Sequence, residues 1–165
     1  GLLMVARTEA AREALSAQLA ARTVDRRYLA LVWGRVESAE GLIDAPLGRS
    51  PREPTRRAVI AGGRPARTRY QVLDRCDDPG VTLLSCTLET GRTHQIRAHV
   101  EAIGHPVVAD HRYAIRKESL GLSRPFLHAA ELGFEHPATG ERLSFRSELP
   151  DELAGLLERL GLSPR

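Results

Sequence analysis

Between Arg56 and Glu89, three runs that favour extended chain (Arg56 to Ala61, Thr68 to Asp74 and Val81 to Glu89) are separated by two turn signals, Gly62-Gly63 and Asp78-Pro79-Gly80. Connections this short leave no room for crossover helices, so the block predicts an antiparallel meander rather than a parallel sheet. Helical patterns lie outside it. Thr8 is placed to cap a helix over 9–22 with Leu15 and Leu19 on one face, covering a sheet. A second helix is expected from Thr90 or Gly91 to Ile103, ended by Gly104 and Pro106, and a third from Pro150 to Leu160. Arg27 to Val36 reads as a largely buried strand, followed by a loop with Pro46, Gly48, Pro51 and Pro54. Phe126 to Glu135 and Arg142 to Ser147 read as a strand pair around the turn Pro137 to Gly140, and His105 to Pro125 as irregular. Strands outnumber helices without regular alternation, so the expected class is α+β, with a mainly antiparallel mixed sheet flanked by helices.

The 165 residues suffice for one domain with a real core, and 42% hydrophobic with 27% charged residues excludes a disordered chain. The longest apolar runs, Gly1 to Ala6 and Val81 to Leu84, are too short to span a bilayer, and no secretory leader pattern is visible. Cys76 and Cys86 read as reduced thiols of a cytoplasmic protein. The apolar start Gly1-Leu2-Leu3-Met4-Val5 reads as a strand inside a buried element, with chain missing upstream.

Net charge is only +3, yet all of the 24 basic residues except Lys117 are arginine. Arginine's planar fork suits phosphates and base edges, which points towards a nucleic acid, although a GC-rich codon bias gives the same composition. Position must decide. On a helical wheel, Ile96, Val100 and Ile103 form a buried stripe that contains Arg92, flanked by Gln95 and His99, while Arg97 and Glu101 share the wet face. An inward arginine in a first helical turn, where the macrodipole disfavours a cation, requires an anion. A catalytic carboxylate, a substrate phosphate and a structural Asp all satisfy that requirement. His94 and His99 are five apart and diverge on a helix, and no HExxH or CxxC pattern occurs, so no metal site is expected. His94 is expected to cap the helix or bind backbone. Neither a Gly-x-Ser-x-Gly elbow nor a phosphate-binding P-loop is present.

The run Leu88-Glu89-Thr90-Gly91-Arg92-Thr93-His94-Gln95-Ile96-Arg97-Ala98-His99, followed by Gly104-His105-Pro106-Val107-Val108-Ala109-Asp110, resembles the signature motif of RluA-like pseudouridine synthases. Val24 to Gly34 resembles the tyrosine strand of that family, Ile43 to Arg49 the loop that follows it, and Leu127-His128-Ala129 with Phe134 to Pro137 its C-terminal strands. The match runs in order over nearly the whole chain and is nearest to synthases of large-subunit ribosomal RNA.

The resemblance implies the pseudouridine synthase fold for residues 1–165, as a catalytic domain lacking its N-terminal segment. It implies uridine isomerisation in ribosomal or transfer RNA, by a cytoplasmic monomer without cofactor or metal. Gly1-Leu2-Leu3 resembles the end of the motif that carries the family's nucleophilic aspartate, which would fall about five residues earlier. Arg92 would pair with that aspartate and Tyr28 would be the active-site tyrosine. None of the seven aspartates in the chain stands in the motif, so the chain alone is expected to be inactive, and an inert RNA-binding fragment is the alternative. Arg49, Arg52, Arg56, Arg57, His94 and Gln95 are the expected RNA contacts, although the arginine-rich loop could equally be a solvated surface.

Overall fold

The structure, a computed structural model, describes residues 1–114 and 118–164. In chain order these form Glu9–Ala21 (α1), Asp25–Trp33 (β1), Glu40–Asp44 (β2), Leu47–Arg49 (β3), Arg57–Val59 (β4), Arg67–Cys76 (β5), Val81–Leu88 (β6), Gln95–Ala102 (α2), Leu127–Glu135 (β7), Arg142–Arg146 (β8) and Asp151–Leu160 (α3). Six strands make one sheet in the order β2-β5-β6-β1-β7-β8, and every pairing among the described strands is antiparallel. The class is α+β, as expected.

β1 lies inside the sheet because both of its faces are apolar over Leu29 to Trp33, where every residue is buried. Leu31 and Trp33, with Val81, Leu83 and Phe126, form one core, closed by Leu153, Leu156 and Leu157 of α3. Ala30 and Val32, with Leu84 and Cys86, form a second, closed by Ile96 and Val100 of α2. Burial pushes the Cys86 thiol up to about 12, so it is an inert core residue. Thr8 caps α1 by accepting the Ala11 N–H at 3.2 Å, and Leu15 is buried beneath it. Leu19, expected beside Leu15, is instead 37% exposed. No described helix is long and apolar enough to cross a membrane.

Three expectations need correction. The meander holds for β5 and β6, but β4 leaves it to pair with β3 in a separate two-stranded sheet, and the edge strand beside β5 is β2. Both β3 and β4 are three residues long, too short for their side-chain pattern to be read. Gly1 to Val5 is not a buried strand: Leu3 and Val5 are 84% and 71% exposed, and the segment is joined to β7 by one backbone hydrogen bond, Leu2 N–H to Ala129 O at 3.0 Å. Finally, α2 begins at Gln95, so Arg92 precedes it and Ile103 follows it at 40% exposure. Within the stretch read as irregular, residues 115–117 lie outside the described residues.

Candidate active site

The turn from β6 into α2 is fixed by one buried amide. Gln95 is 2% exposed; its Oε1 accepts from Thr90 Oγ1 at 2.7 Å and from the Arg92 N–H at 3.0 Å. Its Nε2 donates to Arg67 O at 2.9 Å and to Thr68 Oγ1 at 3.0 Å. With every amide bond made inside the protein, Gln95 holds the loop in shape. His94 enters the helix with φ of 55°, a left-handed value that swings the preceding residues outward. Arg92 is thereby presented beside α2, half-buried, its Nε donating to Pro65 O at 3.1 Å.

Arg92 stands between two clefts. The smaller, about 420 Å³, lies against the β3–β4 hairpin and is lined by Gly48, Arg57, Gly63, Arg64 and Arg92. The larger, about 660 Å³, lies against α1 and is lined by Leu19, Arg22, Arg26, Arg64, Glu89 and Arg92. Glu89 is the one carboxylate lining either cleft among the described residues. It is already held by Arg67 at 2.8 Å and Arg69 at 2.6 Å, with Arg22 at 3.9 Å. The clefts therefore carry an excess of guanidinium charge and suit an anion. Arg26 reaches in from β1 beneath Gly91; a Cβ at Gly91 would lie 2.4 Å from its Nη1 and would push that guanidinium aside. Tyr28 lies two residues further along β1 on the same face, half-buried against the core of Ala30, Leu84, Cys86 and Ile96. Its partner on β7 is Ala129, and Gly1 lies so close to Ala129 that a Cβ there would be 2.6 Å from the Ala129 nitrogen.

The hairpin arginines divide by environment. Arg49 and Arg52 are exposed and in no described ion pair, and Arg57 faces the smaller cleft. Arg56 is tied down: it pairs with Glu101 at 3.3 Å and its guanidinium lies 4.5 Å from the centre of the Tyr113 ring. The Tyr113 hydroxyl accepts the Arg57 N–H at 3.0 Å and donates to Arg57 O at 3.1 Å, pinning β4 to the segment after α2. Nδ1 of His94 lies 3.3 Å from the same hydroxyl and the His94 side chain caps nothing, contrary to expectation. Burial, reinforced by the Arg97 and Arg112 charges, lowers the His94 pKa and favours the neutral ring.

Arg97 is not on a wet face. It binds Asp110 through two nitrogens and lies 4.9 Å from the Tyr113 ring centre, so Tyr113 sits between two guanidiniums. The wheel assigned exposure from helical phase alone, and the turn at Asp110 to Tyr113 folds over that phase. Arg26 and Tyr113 were both missed. Tyr113 is visible only as a lone aromatic in an irregular stretch, whereas Arg26 carried a usable signal, a cation two residues before Tyr28 on the same strand face. Among the described residues no group of three or more His, Cys, Asp or Glu side chains could hold a metal ion.

An RNA pseudouridylate synthase family model matches residues 1–102. The chain belongs to that family. A ribosomal large subunit pseudouridine synthase D of Nitrosomonas europaea is 47% identical over 97% of this chain and 48% of its own length. An uncharacterised RNA pseudouridine synthase of Bacillus subtilis is 45% identical over 97% of this chain and 52% of its own. The chain thus spans about half the length of these curated relatives. Human RNA pseudouridylate synthase domain containing 1 superposes with a TM-score of 0.76 at 26% identity, covering 97% of this chain and 75% of that one.

Proposed function

We propose that residues 1–165 are the larger part of the catalytic domain of a cytoplasmic enzyme that converts uridine to pseudouridine in large-subunit ribosomal RNA. The observation that carries this is Arg92: a half-buried guanidinium without a carboxylate partner among the described residues, in a cleft lined by further arginines, on a chain of the pseudouridylate synthase family. The ribosomal target is supported by the name of the Nitrosomonas europaea relative.

The isomerisation breaks the N1–C1′ bond, turns the uracil, joins C5 to C1′ and releases the C5 proton, while N1 takes up a proton in its place. It is redox-neutral and calls for no cofactor. A carboxylate must stay ionised to attack ribose or base, and an adjacent guanidinium keeps it so. The motif resemblance assigns this carboxylate to an aspartate ahead of Gly1. The close approach of Gly1 to Ala129, beside Tyr28, supports that assignment, because it would bring the preceding residues to the same end of β1. Tyr28 would stack on the extruded base and present its hydroxyl to the C5 proton. Arg49, Arg52 and Arg57 would contact RNA phosphates, with His94 and Arg56 holding the hairpin that bears them.

Tritium release from ribosomal RNA labelled at uridine C5 tests the reading. The full-length protein should release tritium, residues 1–165 alone should not, and Tyr28→Phe should lose roughly 10²- to 10⁴-fold in turnover while still binding RNA. Release by residues 1–165 alone would remove the need for the upstream aspartate, and unchanged turnover in Tyr28→Phe would make that residue a packing group.

A further inference from the structure

Arg26, Arg64 and Arg92 converge on the larger cleft, and none of them is in a described ion pair. Arg26 is the least satisfied. Its Nη2 makes one long bond, 3.3 Å to Leu88 O, and its buried Nε has no hydrogen-bond partner. Burial also weakens its hold on its proton. A guanidinium removed from water and left without an anion destabilises the fold, and two more around the same space add repulsion. Such an arrangement is sustained where an oxyanion with several acceptor oxygens occupies the space in the working state.

The expected aspartate can answer one of these three cations. Its two oxygens are assigned to Arg92, which leaves Arg26 on the floor and Arg64 on the exposed rim. Leu19, 37% exposed on α1, gives the same cleft an apolar wall. A cation on the floor, a second cation at the rim and an apolar wall together match the phosphate and sugar of a nucleotide.

We infer that the cleft between α1 and the Thr90 to Arg92 loop seats a backbone phosphodiester of the substrate RNA, gripped by Arg26 and Arg64, next to the nucleotide that enters beside Arg92. This deepens the reading of the chain as a pseudouridine synthase and rests on it. Arg–phosphate contacts of this kind set register and carry no sequence information, so this seat would position the target uridine whatever bases flank it.

The test uses the full-length protein and an unmodified large-subunit ribosomal RNA transcript, comparing Arg26→Gln and Arg64→Gln with Arg146→Gln, a remote and exposed change on β8. RNA affinity is measured over a salt series and turnover by tritium release. Each cleft variant should weaken binding about tenfold and flatten the slope of log affinity against log salt by about 0.7–0.9, the signature of one lost phosphate contact. KM should rise by more than kcat falls, and Arg146→Gln should leave both unchanged. If the two cleft variants keep the wild-type salt slope, the phosphodiester seat is wrong. Loss of turnover at unchanged RNA affinity would also overturn it, by showing that the arginines serve the nucleophile. Arg64 is exposed, so its variant decides the matter even if Arg26→Gln fails to fold. Wild-type turnover separates the two readings: an active wild type with unaltered variants sinks only this seat, and an inactive wild type sinks the isomerase reading itself.

Discussion

Arg97 binds Asp110 with two parallel bonds, Nε to Oδ2 at 2.6 Å and Nη2 to Oδ1 at 2.8 Å, and the Asp110 side chain has no exposed surface. Oδ1 also accepts the N–H groups of Arg112 and Tyr113, so this carboxylate organises the turn after α2 as well as the helix itself. Its bond raises the Arg97 pKa, so the guanidinium holds its proton the more firmly. Removing one partner strands the other, so Arg97→Ala should destabilise the protein by about 3–5 kcal/mol, and the double change to alanine by less than the sum of the singles. Urea unfolding measures both. A loss under about 1 kcal/mol for Arg97→Ala would place the pair in the class of solvated surface bridges.

Tyr113 transmits that order to the hairpin. Tyr113→Phe keeps the ring between Arg56 and Arg97 but removes the hydroxyl that serves both backbone groups of Arg57. The expected stability cost is about 1–2 kcal/mol, since two part-buried bonds are lost. Amide exchange at Arg57 and Ala58 should accelerate while the core strands stay protected. If Arg57 exchanges at its original rate, the hydroxyl does not hold the hairpin.

How far the sequence could be read follows from what each signal measures. The turns around β5 and β6, the Thr8 cap and the C-terminal helix rest on local chemistry, and each was legible. The family was legible because the motif surrounding Arg92 and Tyr28 is long. The separate β3–β4 sheet was not, because three-residue strands carry no periodicity. Arg97 was misplaced because a helical wheel knows its own axis and nothing of a later turn folding over it. The segment from Gly1 to Val5 misled for a related reason: an apolar run states a preference for burial, but whether a surface is there to receive it is a tertiary matter.

His99 gives a pH signature. It is fully buried, with Nε2 donating to Ala45 O at 3.0 Å and Nδ1 accepting from Thr68 Oγ1 at 2.8 Å. Burial lowers its pKa, more than the Ala45 bond and the Asp44 charge raise it. The unfolded chain therefore takes up this proton first as pH falls. The stability due to neutral His99 is fully present above its ordinary value of 6.5 and is lost below it, down to the depressed folded value. The slope attributable to one such group is at most about 1.4 kcal/mol per pH unit. His94, also lowered, contributes in the same direction. Urea midpoints at pH 7.5 and 5.5 should differ in the parent, and the difference should shrink in His99→Gln. An equal difference in both proteins would assign the acid sensitivity elsewhere.

Arg92 should behave as the converse of Arg97. It is half-buried, its guanidinium holds a single carbonyl where Arg97 holds a carboxylate, and its backbone N–H is bonded independently by Gln95. Truncating its side chain should therefore cost only about 1 kcal/mol of stability. In the proposed mechanism its role is electrostatic: without it the attacking carboxylate would lose the charge that keeps it ionised, so Arg92→Ala in the full-length protein should lower turnover by roughly 10²–10³-fold or more. Arg92→Lys restores a charge but not the fork, and it also gives up the Nε bond to Pro65, so it should recover stability more fully than catalysis. Because a lost carboxylate ionisation can be restored by raising pH, part of the Arg92→Ala defect should recover towards alkaline pH, whereas an unfolding defect would not. Sulfate should stabilise residues 1–165 more than the same chain with Arg92→Ala, as expected of a cation that faces an anion site. Full turnover in Arg92→Ala, with no difference in the sulfate response, would make Arg92 an ordinary surface arginine.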